Sequence, residues 1–250
     1  MKKVILLVAV AVVLFACNNL AEGEYVITGH IKGMKTGLVF LEKQSPMGMG
    51  NMAIDTVKIE DGKFEIKGKT GEPEIHFIQI DKVNGKIPLI LEGGEIAVEV
   101  DKDTLFKSKI TGTYSNDEFT KFNEESNKIQ KKMQKEAMAF QVKNKAIIEQ
   151  AQKTKDTATF SKLRAEYDII QKPLNDFTFA YPKTHPKSFI SVLITQMMMG
   201  NPKFTPKEIE DTYNSLDESL KKTKPAKTIK ENIDALKKKP ATNQPSELIK

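Results

Sequence analysis

The chain of 250 residues has one cysteine, no tryptophan, three histidines and a single arginine, Arg164. One thiol excludes an internal disulfide, a CxxC redox pair and a multi-thiolate metal site. His30, His76 and His185 are isolated and match no ligand-pair spacing, so they read as structural or exposed side chains, and no metal is assigned. Positive charge carried almost wholly by lysine argues against nucleic acid as a partner, because bidentate reading of phosphate and guanine favours arginine. Gly29, Gly33 and Gly37 lie along a strand and its turn and form no phosphate-binding loop. No nucleophile motif stands out, and no cofactor is implied. These absences leave architecture and address as the informative parts.

What is present begins at the N-terminus. Lys2 and Lys3 precede an apolar run from Val4 to Ala16, too short to span a bilayer at 1.5 Å per residue, and the segment reads as a signal peptide. Nothing after Ala16 is apolar enough to span. Leu14-Phe15-Ala16-Cys17 resembles the bacterial lipobox, with Phe where a small or β-branched residue is usual. The resemblance implies a diacylglycerol thioether on Cys17 and cleavage in front of it. The competing reading is a plain signal anchor, or a small-residue cleavage site with an incidental Cys. The only Cys of the chain stands where lipidation needs it, which favours the lipid. Several acyl chains would hold the protein at a membrane without a spanning helix.

Charge is uneven. Residues 18–115 carry 12 basic and 15 acidic groups, and residues 116–250 carry 25 and 18. The lysine excess of the second part reads as a solvated surface.

Composition and periodicity place a boundary near Tyr114. Before it, short β-branched runs separated by turn residues predict strands at Tyr25–Ile31, Leu38–Leu41, Ile54–Ile59, Lys63–Lys67, Glu74–Ile80, Ile87–Leu91, Glu95–Val100 and Lys109–Thr113. Asp61-Gly62, Asn84-Gly85 and Gly93-Gly94 read as tight hairpin turns, and Pro88 as an edge or bulge residue. About eight such strands predict an antiparallel β-sandwich or open barrel. After Tyr114 the period becomes helical. Ser115 and Glu118 have capping-box spacing, with Tyr114 and Phe119 as a hydrophobic staple, opening a helix to about Lys153. A second stripe from Phe160 to Tyr181 predicts its antiparallel partner, kinked or interrupted at Pro173. Ser188–Met199 reads as a buried helix. Thr205-Pro206-Lys207-Glu208 opens another through Leu220, and a short helix carries Ile229, Ile233 and Leu236.

The expected fold class is therefore α+β. Residues 1–16 are a signal peptide, 17–24 a lipidated tether, 25–114 the β domain, 115–239 the helical domain and 240–250 a polar tail.

The segments Tyr25-Val26-Ile27-Thr28-Gly29, Asp55-Thr56-Val57 to Asp61-Gly62-Lys63-Phe64-Glu65-Ile66-Lys67-Gly68, Leu91-Glu92-Gly93-Gly94 and Gly112–Asn116 resemble an uncharacterised N-terminal β domain of periplasm-facing lipoproteins from Gram-negative bacteria. His185-Pro186-Lys187-Ser188-Phe189 through Tyr213-Asn214-Ser215-Leu216 is similar to the helical part that follows it. The resemblance covers roughly Tyr25–Lys239. In that family a thioredoxin-like domain with a Cys-x-x-Cys site usually comes next, and here the chain ends where it would begin. Without a resolving thiol, exchange by that mechanism is closed to this chain alone.

Other candidate chemistry has a simpler reading each time. Met47, Met49 and Met52 bring three thioethers together, which suits Cu(I), but without His or Cys nearby a flexible hairpin loop explains them. Met197-Met198-Met199 point in different directions on a helix and read as core, with a client-binding apolar patch as the alternative. Asp55 and Asp61 read as strand-edge and turn residues. The expectation is a membrane-anchored, non-catalytic binding module with an unidentified protein partner or small ligand. The alternative is an accessory, client-holding component of envelope thiol–disulfide exchange. A hydrolase ranks last. Asn18-Asn19 after Cys17, with no acidic cluster, points to a periplasm-facing protein, and the family resemblance implies the outer rather than the inner membrane. Oligomeric state is left open.

Overall fold

A computed structural model describes residues 20–45 and 50–238. The expected Cys17 site, the signal peptide, Met47, Met49 and the tail from Pro240 lie outside these residues. The strands are β1 (Glu24–Lys32), β2 (Thr36–Gln44), β3 (Asn51–Glu60), β4 (Lys63–Lys69), β5 (Glu74–Ile80), β6 (Ile87–Leu91), β7 (Gly94–Asp101) and β8 (Lys109–Thr111). They form one mixed, nearly closed, barrel-like sheet in the order β6-β5-β2-β3-β4-β1-β7-β8. The α+β class expected from the sequence is the observed one.

Alternation puts one face of each strand inside. Ile27, Val39, Leu41, Ile66, Ile78, Leu89 and Ile96 are among the fully enclosed side chains of this core. Each such residue stabilises the fold by about 1.5–3 kcal/mol relative to exposure. Between β1 and β4 two aromatic rings cover two glycines. Tyr25 is paired with Gly68, and Phe64 with Gly29. A Cβ on Gly68 would meet the Tyr25 hydroxyl at 2.4 Å, and one on Gly29 would meet the Phe64 ring at 1.9 Å. The glycines let the rings lie across the ladder.

Three local expectations change. β1 and β7 run parallel, from Tyr25↔Gly94 to Lys32↔Asp101, because β7 returns beside β1 after five intervening strands rather than through a hairpin. Gly93-Gly94 is consequently a corner between β6 and β7, which lie far apart in the sheet order, and not a hairpin turn. β5 and β6 are joined by a longer loop in which Lys82 (φ 60°) as well as Gly85 (φ 104°) adopts the left-handed region. Asp61-Gly62 (φ 50° and 77°) does form the expected two-residue turn. β3 and β4 nevertheless separate after Glu60↔Lys63.

The sheet ends at β6 and β8, and the first turns of α1 (Tyr114–Thr154) fill the gap. Asn116 is fully buried there. Its Oδ1 accepts from the Ile90 N–H at 2.9 Å, and its Nδ2 donates to the Ile90 carbonyl at 2.7 Å. On the other side the Thr120 hydroxyl donates to the Ile110 carbonyl at 2.6 Å, and Asp117 Oδ1 accepts from Gly112 N–H at 3.0 Å. Amide and hydroxyl side chains thus replace the missing ladder between two strand edges.

This closure overrides the expected capping box. The helix starts two residues earlier, at Tyr114 with Thr113 as its N-cap, and Ser115 gives both its N–H and its hydroxyl to the Glu92 carboxylate at 3.0 and 2.7 Å. Glu118 turns inward to other partners, and Tyr114 is exposed, so the staple does not form. A carboxylate from the β6–β7 corner outcompetes the local cap because it takes two hydrogen bonds at once.

α1 and α2 (Thr157–Thr184) make a long hairpin that turns at Lys155, in the left-handed region, and Asp156, whose carboxylate caps α2. At 1.5 Å per residue the 41 residues of α1 extend about 60 Å. The face of α1 toward α2 steps through Phe122, Ser126, Ile129, Met133, Ala137, Phe140, Asn144, Ile148 and Ala151. The steps of four, three and four repeat every 11 residues, which favours a straight or slightly right-handed pairing over a left-handed supercoil. Pro173 does not interrupt α2. Its ring is exposed, and the carbonyl it leaves without a helical donor belongs to Ile169, itself exposed to solvent.

The remaining helices, α3 (Phe189–Met199), α4 (Pro206–Ser215), α5 (Glu218–Lys221) and α6 (Lys224–Lys238), pack at the base of the hairpin. Thr205 and Glu208 form the expected capping box of α4. The helix stops at Ser215, short of the expected Leu220, because Asp217 caps a new one through Ser219 N–H at 2.9 Å. Their core includes Ile90, whose side chain points out of the sheet toward Phe189 and its neighbours. Among the described residues, no helix is long and apolar enough to cross a membrane.

Candidate functional site

Among the described residues, two places away from the hairpin tip draw polar and apolar groups together outside the sheet. The first is a buried node where α1, α2 and α3 meet. The Tyr181 hydroxyl donates to Glu118 Oε2 at 3.1 Å, and Ser188 Oγ lies 3.4 Å from the same hydroxyl. Lys121 donates to Glu118 Oε1 at 2.9 Å. The His185 ring stacks on Tyr181 with centroids 4.0 Å apart, and its Nε2 is 3.9 Å from Glu118 Oε2. Burial drives the Tyr181 phenol far above its ordinary range, so it stays a donor. Burial also works to raise the Glu118 pKa, but the bonds from Lys121 and Tyr181 outweigh it and hold the carboxyl below its usual value.

Serine, histidine and carboxylate at one place invite a hydrolase reading. The geometry does not follow it. Nucleophilic catalysis needs the base within hydrogen-bond reach of the hydroxyl. Here Ser188 is fully buried, while His185 directs Nδ1 to Thr184 Oγ1 at 2.8 Å and Nε2 toward Glu118. What the node does is fasten the two arms of the hairpin to α3.

The second place is an open cleft of about 760 Å³ between the outer side of α2 and the loop from α3 to α4. Phe179 and Phe204 form its floor, their rings 4.5 Å apart and tilted by 58°. Such a pair contributes about 0.5–1.5 kcal/mol beyond its area. Phe204 reaches this position because Asn201 folds the loop, accepting from Lys203 N–H through its side chain and from Phe204 N–H through its backbone. Ile169 stands at one end, 69% exposed. Lys183 and Lys203 bring positive charge to the rim, and Lys172 pairs there with Asp176. An apolar floor with a few polar groups around it suits an extended segment carrying an apolar side chain next to charge.

The residues singled out from sequence lie elsewhere. Met198 is buried, Met197 exposed and Met199 half-buried, so this trio shares no patch. Met52 is exposed on β3. His30 meets Glu99 at 3.3 Å on the β1–β7 surface, and burial pushes the His76 imidazole below its ordinary pKa. Asp55 bonds the next backbone N–H at 2.7 Å, and Asp61 sits in its turn. Among the described residues, no three His, Cys, Asp or Glu side chains converge as a metal site. The cleft itself was missed. Its signal was Phe179, two residues off the inward stripe of Phe177 and Tyr181.

Comparison with known families reaches the sheet. Residues 25–119 match the model of a Domain of unknown function (DUF4369). The matched stretch takes in β1 from its second residue, the other seven strands and the first six residues of α1, including Asn116 and Asp117. The cleft and the node's Tyr181, His185 and Ser188 lie beyond it. No curated protein matches the chain.

Proposed function

We propose that the protein is a periplasm-facing lipoprotein of the outer membrane, tethered through Cys17, and that it acts as a non-catalytic binding module. The ligand is an extended segment of a partner protein, held in the cleft over Phe179 and Phe204. The observation that carries this reading is the cleft: a paired-aromatic floor, an exposed aliphatic end at Ile169 and a charged rim in which Lys172, Lys183 and Lys203 outnumber Asp168 and Asp176. The tether rests on the lipobox resemblance.

A random peptide library displayed on phage and panned against the full chain tests the binding function. Enriched sequences should pair an apolar side chain with an acidic one. Their affinity should fall at least tenfold on I169D, a change at an exposed position that leaves the fold intact. Equal affinity for the two proteins, or no enrichment, ends the reading. Incorporation of labelled palmitate, lost in C17S, tests the tether separately.

A second reading draws on the matched domain, which is consistent with the N-terminal domain of lipoproteins that continue into a thioredoxin-like domain. There the chain is an accessory that holds clients for a separate thioredoxin-like protein. It calls for cysteine-containing peptides in the enriched pool and for co-purification of the redox protein from envelope extracts.

A further inference from the structure

The distal part of the hairpin, residues 127–165, carries ten Lys or Arg against three Asp or Glu. Of the seven lysines that α1 carries in this stretch, Lys131, Lys135, Lys145 and Lys153 share one face. Lys131, Lys135, Met138, Val142, Lys145 and Lys153 follow one another mostly at steps of three and four, and all are exposed. They fall on the face opposite the seam with α2, where Met133, Ala137, Phe140 and Asn144 are turned inward. Val142 is 79% exposed and Met138 57%, at the middle of the stripe with lysines at either end. Among the described residues, the one ion pair of this stretch is Lys128 with Glu125 at 3.1 Å. Glu149 is the acidic residue that interrupts the row.

We propose that this face of α1 docks on an anionic lipid surface. Three features favour lipid over a protein partner. The positive groups on the stripe are lysines, whose long aliphatic stems lie along apolar surface while the ammonium reaches headgroup phosphate. The stripe holds no aromatic or arginine, the residues that supply energy at protein interfaces. The 11-residue repeat keeps it straight, so from Lys131 to Lys153 it presents a row of about 33 Å to a flat partner rather than to a pocket. Met138 and Val142 supply the apolar contact that enters the headgroup boundary. Attraction to the anionic headgroups and this shallow insertion act together, as in peripheral helices that need two signals for stable binding. The inference requires neither the Cys17 tether nor the cleft.

The test uses the full chain reconstituted with lipid vesicles, with the photo-crosslinking residue p-benzoylphenylalanine in place of Val142. Illumination should give lipid adducts, read as a mass gain, on vesicles containing about one-third phosphatidylglycerol and not on pure phosphatidylcholine. The adduct should fall at least tenfold at about 1 M salt, where the Debye length shrinks to roughly 3 Å. The same loss should follow K131E/K135E/K145E, whose helix content is checked by circular dichroism. Protein that stays with the vesicles but gives no adduct overturns the docking and leaves the tether standing. Equal adducts on neutral lipid, insensitive to salt and to charge reversal, overturn it as well, and so does an adduct formed only with added acidic protein.

Discussion

Asn116 bonds both backbone groups of Ile90 with its one side-chain amide, while the Ile90 side chain enters the helical core. Sheet and helices are joined at this residue pair. N116A strips two buried partners at once, and a buried donor and acceptor left unmade cost about 1–3 kcal/mol each. Chemical denaturation should show a loss of about 2–6 kcal/mol, against about 1 kcal/mol for T120A on the more open side of the seam. Equal effects would mean that β6 finds water in place of the amide. A chain ending at Thr113 should fail to fold for the same reason, whereas one ending after Ser126 should keep the sheet.

G29A is expected to destabilise by about 1–3 kcal/mol, the usual range for overpacking, because its methyl group would enter the Phe64 ring. In the background of F64A the same change should cost far less. A double-mutant cycle in which the two costs simply add would show that the ring does not lean on Gly29.

Glu118 makes stability depend on pH. Its folded carboxyl titrates below the 4.5 of the unfolded side chain, so the stabilisation is complete above about pH 4.5 and is lost as pH falls through the folded value. Tyr181 acts at the other end: its raised pKa means that stability declines once pH passes 10, where the unfolded phenol ionises. E118Q should flatten the acid limb and Y181F the alkaline limb of a plot of unfolding free energy against pH. An unchanged acid limb in E118Q would assign the dependence to other carboxylates.

Ser126 is buried in the hairpin seam and its hydroxyl has no hydrogen-bond partner. S126A removes an unsatisfied group and should stabilise the hairpin by up to about 1 kcal/mol. Slower amide hydrogen exchange near Ile129 and Met133 is the readout, since an opening confined to the hairpin escapes a global melt. Faster exchange would mean that the hydroxyl holds a water.

The elements were largely legible from sequence because the chain changes period at Tyr114, where β-branched alternation gives way to steps of three and four. What was not legible is what distance in sequence hides. Glu92 takes the bonds that Ser115 and Glu118 were expected to exchange, and nothing within four residues of Ser115 announces it. The parallel course of β7 beside β1 follows from closing the sheet, a condition that no local pattern encodes. Phe204 reaches Phe179 from a loop 25 residues away, so the cleft exists only once α3 and α4 are packed. At Pro173 the helix continues rather than breaking for a simpler reason, since a proline on an exposed helix face leaves its freed carbonyl open to solvent.

The 11-residue repeat of α1 has an engineering consequence. Eleven residues make three turns at this pitch, so deleting positions 133–143 of α1 together with 163–173 of α2 brings each seam back into phase. The hairpin would shorten by about 16 Å without rotating its tip relative to the sheet. Its reach is therefore a quantity that insertion and deletion can set in discrete steps, independently of the fold at its base.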